Sequence, residues 1–368
     1  MTRPVPFGDL AREAAAIAAD LETAFARVVR SGWFVLGREV EAFEAEFAAW
    51  IGAGTTVGCA SGTDAITLAL KAVGVGRDDE VITAANTCGP TAVGIENAGA
   101  RLRLVDADPA TLMLDAGQLA AAITPRTRAI VPVHLYGHAA DMDAIGAVAA
   151  RHGVPVVEDC AQSHGSEWNG RRTGTFGAIA AFSFYPSKNL GALGDAGACL
   201  TADAGLDARL RRLRNYGQAD RYTQAERGLN SRLDEVQAAL LRAKLPHLTD
   251  WNARRAAIAH RYAAGLASCP DVALVAPPPA ARSVYHLFAI RHPRRDALQA
   301  FLRERGVATY VHDPVPVHLH PAYADLGYAR GAFPVAERAC AELLSLPMHA
   351  FLSDDEVDAV CEAVWAFQ

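Results

Sequence analysis

Between about residues 55 and 200 the chain repeatedly alternates short apolar runs with helical patterns, and few folds tolerate that order. The runs are TTVGCA, EVITA, RLRLVDAD, RAIVPVHLYG, VPVVEDC, AIAAFSF and GACLTA. Several are apolar on both faces and rich in valine and isoleucine, as befits strands of a mostly parallel sheet covered on both sides. Helical stretches such as ADMDAIGAVAARHG separate them, with Gly153 placed to end that helix in a left-handed turn. Strand–helix alternation of this kind means an α/β layered fold. A chain of 368 residues suits one large domain and a smaller second one. We place the large domain, including an N-terminal helical segment, at residues 1–250, and a smaller α+β domain at 251–368. In the latter, LTDWNARRAAIAHRYAAGL marks the helical entry, APPPAARS a stiff loop, SVYHLFAIRHP a strand and RRDALQAFLRERG an amphipathic helix.

Composition narrows the function. Hydrophobic residues make up 51% and charged ones 21%, which is globular. A net charge of −6 argues against nucleic acid, whose phosphates require a basic face. No apolar run approaches the roughly 18 residues that span a bilayer. Asp9, Glu13 and Asp20 spoil any signal-peptide reading of the N-terminus. The seven cysteines are odd in number and scattered, without a C-x-x-C pair, so reduced thiols in a cytoplasmic enzyme are expected.

Three stretches carry chemistry. In CASGTDAITLALKAVG a strand runs into Ser61-Gly62-Thr63-Asp64 and a helix follows. Free N–H groups and the helix dipole there make an anion site, or an ordinary capped helix. Neither the Rossmann nor the P-loop glycine spacing is present. In VPVVEDCAQSHG, Asp159 ends an apolar strand at the carboxyl edge of the sheet, either as a ligand-facing carboxylate or as a helix cap; Gln162 lies three residues on. In AFSFYPSKNLGALGDAG, Lys188 follows a buried strand and meets no charged residue until Asp195. Uncharged surroundings lower an amine's pKa and make it nucleophilic, although any one lysine is more often a solvated side chain. Together, an anion cradle, a strand-end carboxylate and a desolvated lysine are the requirements of pyridoxal 5′-phosphate: phosphate grip, protonated ring nitrogen and Schiff base. Further along, NSRLDEVQAALLRAKLPHL opens on an expected capping box of Ser231 with Asp234.

At this point the chain resembles the DegT/DnrJ/EryC1/StrS nucleotide-sugar aminotransferases, among the fold-type I pyridoxal phosphate enzymes. The resemblance rests on SGWFVLGREVEAFEAEFA, ASGTDAITLAL, ITAANT, VPVHLYGHAADM, EDCAQSHGS, FSFYPSKNLGALGDAGA, LRNYG, GLNSRLDEVQAALL and SLPM, in that order. It implies an aspartate aminotransferase-like fold, a seven-stranded mixed sheet with a smaller C-terminal domain. It makes Lys188 the Schiff-base lysine, Asp159 the partner of the ring nitrogen and Gln162 a neighbour of the phenolic oxygen. Gly62, Thr63 and Ser183 would bind phosphate, and Asn230 would reach the phosphate held by the neighbouring subunit of a homodimer. Phe34, Tyr185, Tyr216, His312 and Asp313 are the implied substrate contacts.

Two positions depart from the family pattern. Cys88 stands where many members carry an aromatic residue stacked on the cofactor ring. Asp313 stands where the family often has tyrosine, which unsettles any sugar contact made there. His312, His318 and His320 have no carboxylate or cysteine spacing that would make them a metal site. The implied reaction transfers an amino group from L-glutamate to a nucleotide-linked keto-deoxysugar, with dTDP-3-keto-6-deoxyhexoses the nearest class. Alternatives are a 4-keto nucleotide sugar or an inosose. A dehydratase on the same fold is disfavoured because that branch typically has histidine at the Lys188 position. A non-catalytic pyridoxal phosphate-binding regulator has no need of the lysine.

Overall fold

A computed structural model describes residues 4–367. Seven strands form the centre in two abutting sheets. Thr55–Cys59, Gly197–Thr201, Ile179–Ser183 and Val157–Asp159 lie side by side in that order. Gly197–Thr201 runs antiparallel to both of its neighbours, and Ile179–Ser183 runs parallel to Val157–Asp159. The second sheet, Arg101–Val105, Glu80–Ala84 and Thr127–Ile130, is wholly parallel. The facing edges are linked by isolated bridges from Ile130 to Val156 and from Val133 to Asp159. Pro132 and Pro155 sit on this seam and have no N–H to offer a ladder. Their carbonyls still accept from the Asp159 and Ile130 N–H groups, at 2.9 and 3.0 Å.

Successive strand residues serve opposite faces, as a period of two demands. Ile179 and Ala181 pack in the core beneath the helices Gly62–Ala72, Gly89–Asn97 and Ala204–Leu213. Ala180 and Phe182 pack on the other side with Phe43 and Phe47 of the helix Arg38–Ile51. In the parallel sheet Val81 joins the first core, while Ile82 joins one built on the helices Ala116–Ala122 and Met142–His152. Gly153 closes the latter helix at φ 64°, as its sequence pattern requires.

The C-terminal residues build an antiparallel sheet of Ala273–Leu274, Phe288–Arg291 and Leu343–Leu346. Its own core includes Ile258, Tyr262, Ile290, Leu298, Leu344 and Val357. Residue 250 falls inside the helix Leu248–Leu266. The capping box expected of Ser231 is absent. The helix starts at Glu235 behind Asp234, without a side-chain cap. Ser231 instead donates to Asp64 at 2.6 Å and accepts from the Ala60 N–H at 3.1 Å. A tertiary partner with ionic character has displaced the local one.

Phe47 is fully buried, with ring centroids 5.1 Å from Phe182 and 5.3 Å from Phe184. Phe47→Ala is expected to cost about 3–5 kcal/mol of stability. A denaturant titration followed by circular dichroism reads this as an earlier midpoint, and an unchanged midpoint contradicts it.

Candidate active site

The candidate residues come from the carboxyl ends of strands in one sheet and from the helix starts beside them. The strand Thr55–Cys59 delivers the chain to Ser61, whose hydroxyl accepts from the Asp64 N–H at 3.1 Å and caps the helix Gly62–Ala72. The cap leaves the other N–H groups of the first turn free for an anion. A Cβ on Gly62 would lie 2.4 Å from the Ser183 Cβ, and one on Gly197 would lie 2.2 Å from the Ser61 carbonyl oxygen. Only residues without a Cβ let the helix start approach Ser183 and the neighbouring strand this closely. Gly62, Thr63 and Ser183 are thus brought to one place.

Asp159 ends its strand fully buried. Its carboxylate accepts from the Thr91 hydroxyl at 2.8 Å and from the Ala161 N–H at 3.0 Å. Burial pushes its pKa up against those two donors and against Lys188. A buried carboxylate in this position gains from a cation placed beside it. Thr91 stands on the first turn of the helix Gly89–Asn97, which Cys88 precedes. The Cys88 sulfur lies 3.3 Å from the Thr91 hydroxyl. Burial, then Asp159 and Asp313, push the Cys88 thiol up to about 11, so it stays neutral and packs as a small apolar group.

Lys188 is half-buried on the loop after the strand Ile179–Ser183, its N–H bonded to the Tyr185 carbonyl at 2.8 Å. Burial pulls its amine below the ordinary value, while Cys88, Asp159 and Asp313 act in the opposite sense. Three histidines around the amine, His164, His286 and His312, are held neutral by burial and by the field of Lys188 itself. The loop is pinned by Asn189, whose amide donates to Asn252 at 2.8 Å and to the Val284 carbonyl at 3.1 Å. Asn189 also pairs with His286 at 3.1 Å. This clamp of distant residues carries no sequence signal.

Gln162 is oriented by the Tyr136 N–H, which donates to its side-chain oxygen at 2.6 Å. Tyr136 achieves this with a left-handed backbone, φ 62°. Gln162, Tyr136, His312 and Asp313 line one small cavity. Thr91 and Tyr136 are thus the site-forming residues that the sequence patterns did not single out.

The remaining candidates stand apart. Phe34, Tyr185 and Tyr216 are exposed, at 52%, 54% and 41%. Asn230 is exposed as well, bridged to Asn215 in a hairpin stem. The three C-terminal histidines do not converge: His312 bonds Ser345 at 3.0 Å, and His318 bonds Glu337 at 2.9 Å. A group that does converge, among the described residues, is His134, Glu158 and Cys160, whose ligand atoms lie within 4.8 Å of one another. His134 already accepts from the Ala140 N–H at 3.0 Å and faces Glu158 at 3.2 Å, so both of its ring nitrogens are engaged. Glu158 accepts from the Gly174, Phe176 and Gly177 N–H groups, each at 2.7 Å. These are structural bonds.

The sequence profile of the DegT/DnrJ/EryC1/StrS aminotransferase family matches residues 15–365. The chain belongs to that family. It is 49% identical over 356 residues to the erythromycin biosynthesis sensory transduction protein EryC1 of Saccharopolyspora erythraea, covering 97% of each chain. It is 47% identical over 367 residues to dTDP-3-amino-3,4,6-trideoxy-alpha-D-glucose transaminase of Streptomyces venezuelae, covering 99% of this chain and 97% of that one. The crystal structure of S. venezuelae DesV in complex with a ketimine intermediate superposes with a TM-score of 0.97 at 47% identity, covering both chains fully. The protein is an aminotransferase whose cofactor is pyridoxal phosphate. The donor set fits that cofactor: a helix start narrowed by Gly62 for the phosphate, a buried carboxylate for a ring cation, and a desolvated amine for an aldehyde. No helix among the described residues is long and apolar enough to cross a membrane.

If the close approach at Gly62 shapes the phosphate site, Gly62→Ala raises the Kd for pyridoxal phosphate at least about tenfold, as read by absorbance titration. A Kd that does not move contradicts this.

Proposed function

We propose that this protein transfers an amino group from L-glutamate to a nucleotide-linked keto-deoxysugar, a dTDP-3-keto-6-deoxyhexose being the class best supported. What carries the reading is the convergence of Lys188, Asp159 and the Gly62–Ser183 cradle in a chain 47% identical, nearly end to end, to a dTDP-amino-sugar transaminase. When bound, pyridoxal phosphate supplies an aldehyde carbon and a ring able to take up the electron pair freed when a proton leaves the donor's α-carbon.

The chain's own residues do the rest. Gly62, Thr63 and Ser183 grip the phosphate, and the Asp159 carboxylate holds a proton at the ring nitrogen. The Thr91 hydroxyl and the Ala161 N–H keep that carboxylate aimed. Gln162, its oxygen occupied by the Tyr136 N–H, would offer its amide hydrogens to the phenolic oxygen. Cys88 would pack against the ring. With the cofactor bound, the Lys188 amine, whose proton affinity burial lowers, would hold the aldehyde carbon; once released by the donor it would take the proton from the donor's α-carbon and deliver it to that former aldehyde carbon.

The active unit in this reading is a homodimer, with Asn230 completing the partner subunit's phosphate site. An exposed apolar stretch of Phe25, Val29, Trp33, Phe34 and Val35 supports it. Phe34, Tyr185, Tyr216, His312 and Asp313 would meet the sugar. The seven free cysteines fit action in the cytoplasm. A cofactor-binding domain to residue 250 and a smaller one from 251 belong to the same reading.

Lys188→Ala is expected to lower turnover of a dTDP-linked 3-keto-6-deoxyhexose by at least about 1,000-fold with the fold intact. Undiminished turnover would sink the assignment. Asp159→Asn should retain the cofactor while losing at least about 100-fold in rate. Mixing Lys188→Ala subunits with Asn230→Ala subunits should restore part of the activity, because mixed dimers regain one complete site. No recovery in the mixture contradicts the shared site.

A further inference from the structure

Asp313 is half-buried beside the reacting amine, in a left-handed backbone at φ 48° that aspartate tolerates better than bulkier residues do. It shares a cavity with Asn86, Tyr136, Gln162, His312 and Ser345. Lys188 and the Gly89 N–H face it, and His320 acts on it as well. Burial pushes its pKa up to about 6, with Lys188 pulling the other way, so the group is mostly ionised at neutral pH. Two of the neighbouring groups are already committed. His312 is paired with Ser345 at 3.0 Å, and the Asn86 amide donates to the Leu112 carbonyl at 2.9 Å. That leaves the Asn86 side-chain oxygen buried without a partner. The cavity thus holds two acceptors, one of them anionic, that a ligand's donors would satisfy. Sugar hydroxyls are donors of the right kind.

We propose that Asp313 determines substrate specificity by accepting a hydrogen bond from a hydroxyl on a carbon flanking the substrate's carbonyl, so that the preferred keto sugar keeps a hydroxyl there. This rests on the nucleotide-sugar reading of the site. An O–H donating to a carboxylate is among the stronger hydrogen bonds. A site built to bond a substrate hydroxyl rejects the analogue lacking it far more strongly than an apolar pocket rejects a missing methylene, because the acceptor is left buried and unpaired. The S. venezuelae relative is named for a 3,4,6-trideoxy product, which has no oxygen at C4. A different sugar for this chain is thus a measurable distinction.

The test uses the holoenzyme with three dTDP-linked 3-keto-6-deoxyhexoses: the parent with hydroxyls at C2 and C4, and the two analogues each lacking one of them. kcat/KM is measured for the wild type, Asp313→Ala and Asp313→Asn, each first shown by its visible absorbance to hold cofactor. The Kd of the corresponding 3-hydroxy sugar nucleotides, which cannot react, is measured by calorimetry. The wild type should favour the parent over one of the two analogues by at least about 100-fold, falling below about fivefold in Asp313→Ala, with Asp313→Asn between them. The Kd values should follow the same order. A preference that survives Asp313→Ala, or no preference in the wild type, overturns the proposal while leaving the nucleotide-sugar reading in place. Wild-type protein that turns over none of the three sugars overturns both.

Discussion

Two consecutive carboxylates at the end of one strand, Glu158 and Asp159, divide between them the work of building this site. Adjacent residues of a strand point to opposite faces, so the pair cannot serve the same purpose. Glu158 is spent on structure: it gathers three loop N–H groups and His134. Burial opposes its charge, yet these donors hold its pKa below the usual carboxylate range. Asp159, on the other face, has two donors, and burial pushes its pKa up. The first carboxylate is fully satisfied, and the second still gains from a cation. That asymmetry leaves the strand end able to take a cation, which a mere junction in the sheet would not be.

Lys188 is governed by the same economy of partners. It lies close enough to Asp159 and Asp313 to feel their fields, but burial prevails and its amine is pulled down. A tight ion pair would hold the lysine charged and unreactive; a solvated lysine would be charged as well. Burial works against both outcomes, and Asn189, Asn252 and His286 clamp the loop that carries the amine. Coupling the loop to Val284 and His286, which belong to the C-terminal part of the chain, ties the Lys188 amine to the packing of that part.

Much of this was legible in the sequence, for identifiable reasons. Apolar runs fixed the strands, and whatever immediately follows a parallel strand lies at the ligand-binding edge. Asp159, Lys188 and the Ser61 helix start could therefore be placed by position alone. The helix Met142–His152 was marked by its period and by Gly153. What escaped were contacts between residues far apart in the chain. Thr91 reaches Asp159 across 68 positions, and the Ser231 hydroxyl bonds Asp64 across 167. The local pattern at Ser231 pointed to a helix cap that the tertiary bond displaced. Tyr136 orients Gln162 through its backbone N–H, for which no side-chain motif exists. The seam between the two sheets, with its prolines, was hidden because RAIVPVHLYG and VPVVEDC read as unbroken runs.

If a desolvated Lys188 and a buried Asp159 act on one pyridoxal phosphate, with L-glutamate as the amino donor, the protein's own spectrum must report it. The visible absorbance spectrum of the purified protein, before and after adding L-glutamate, tests it most directly. A band from lysine-bound cofactor should bleach as the pyridoxamine form appears. A band that L-glutamate leaves unchanged, or no band after pyridoxal phosphate is supplied, would contradict it.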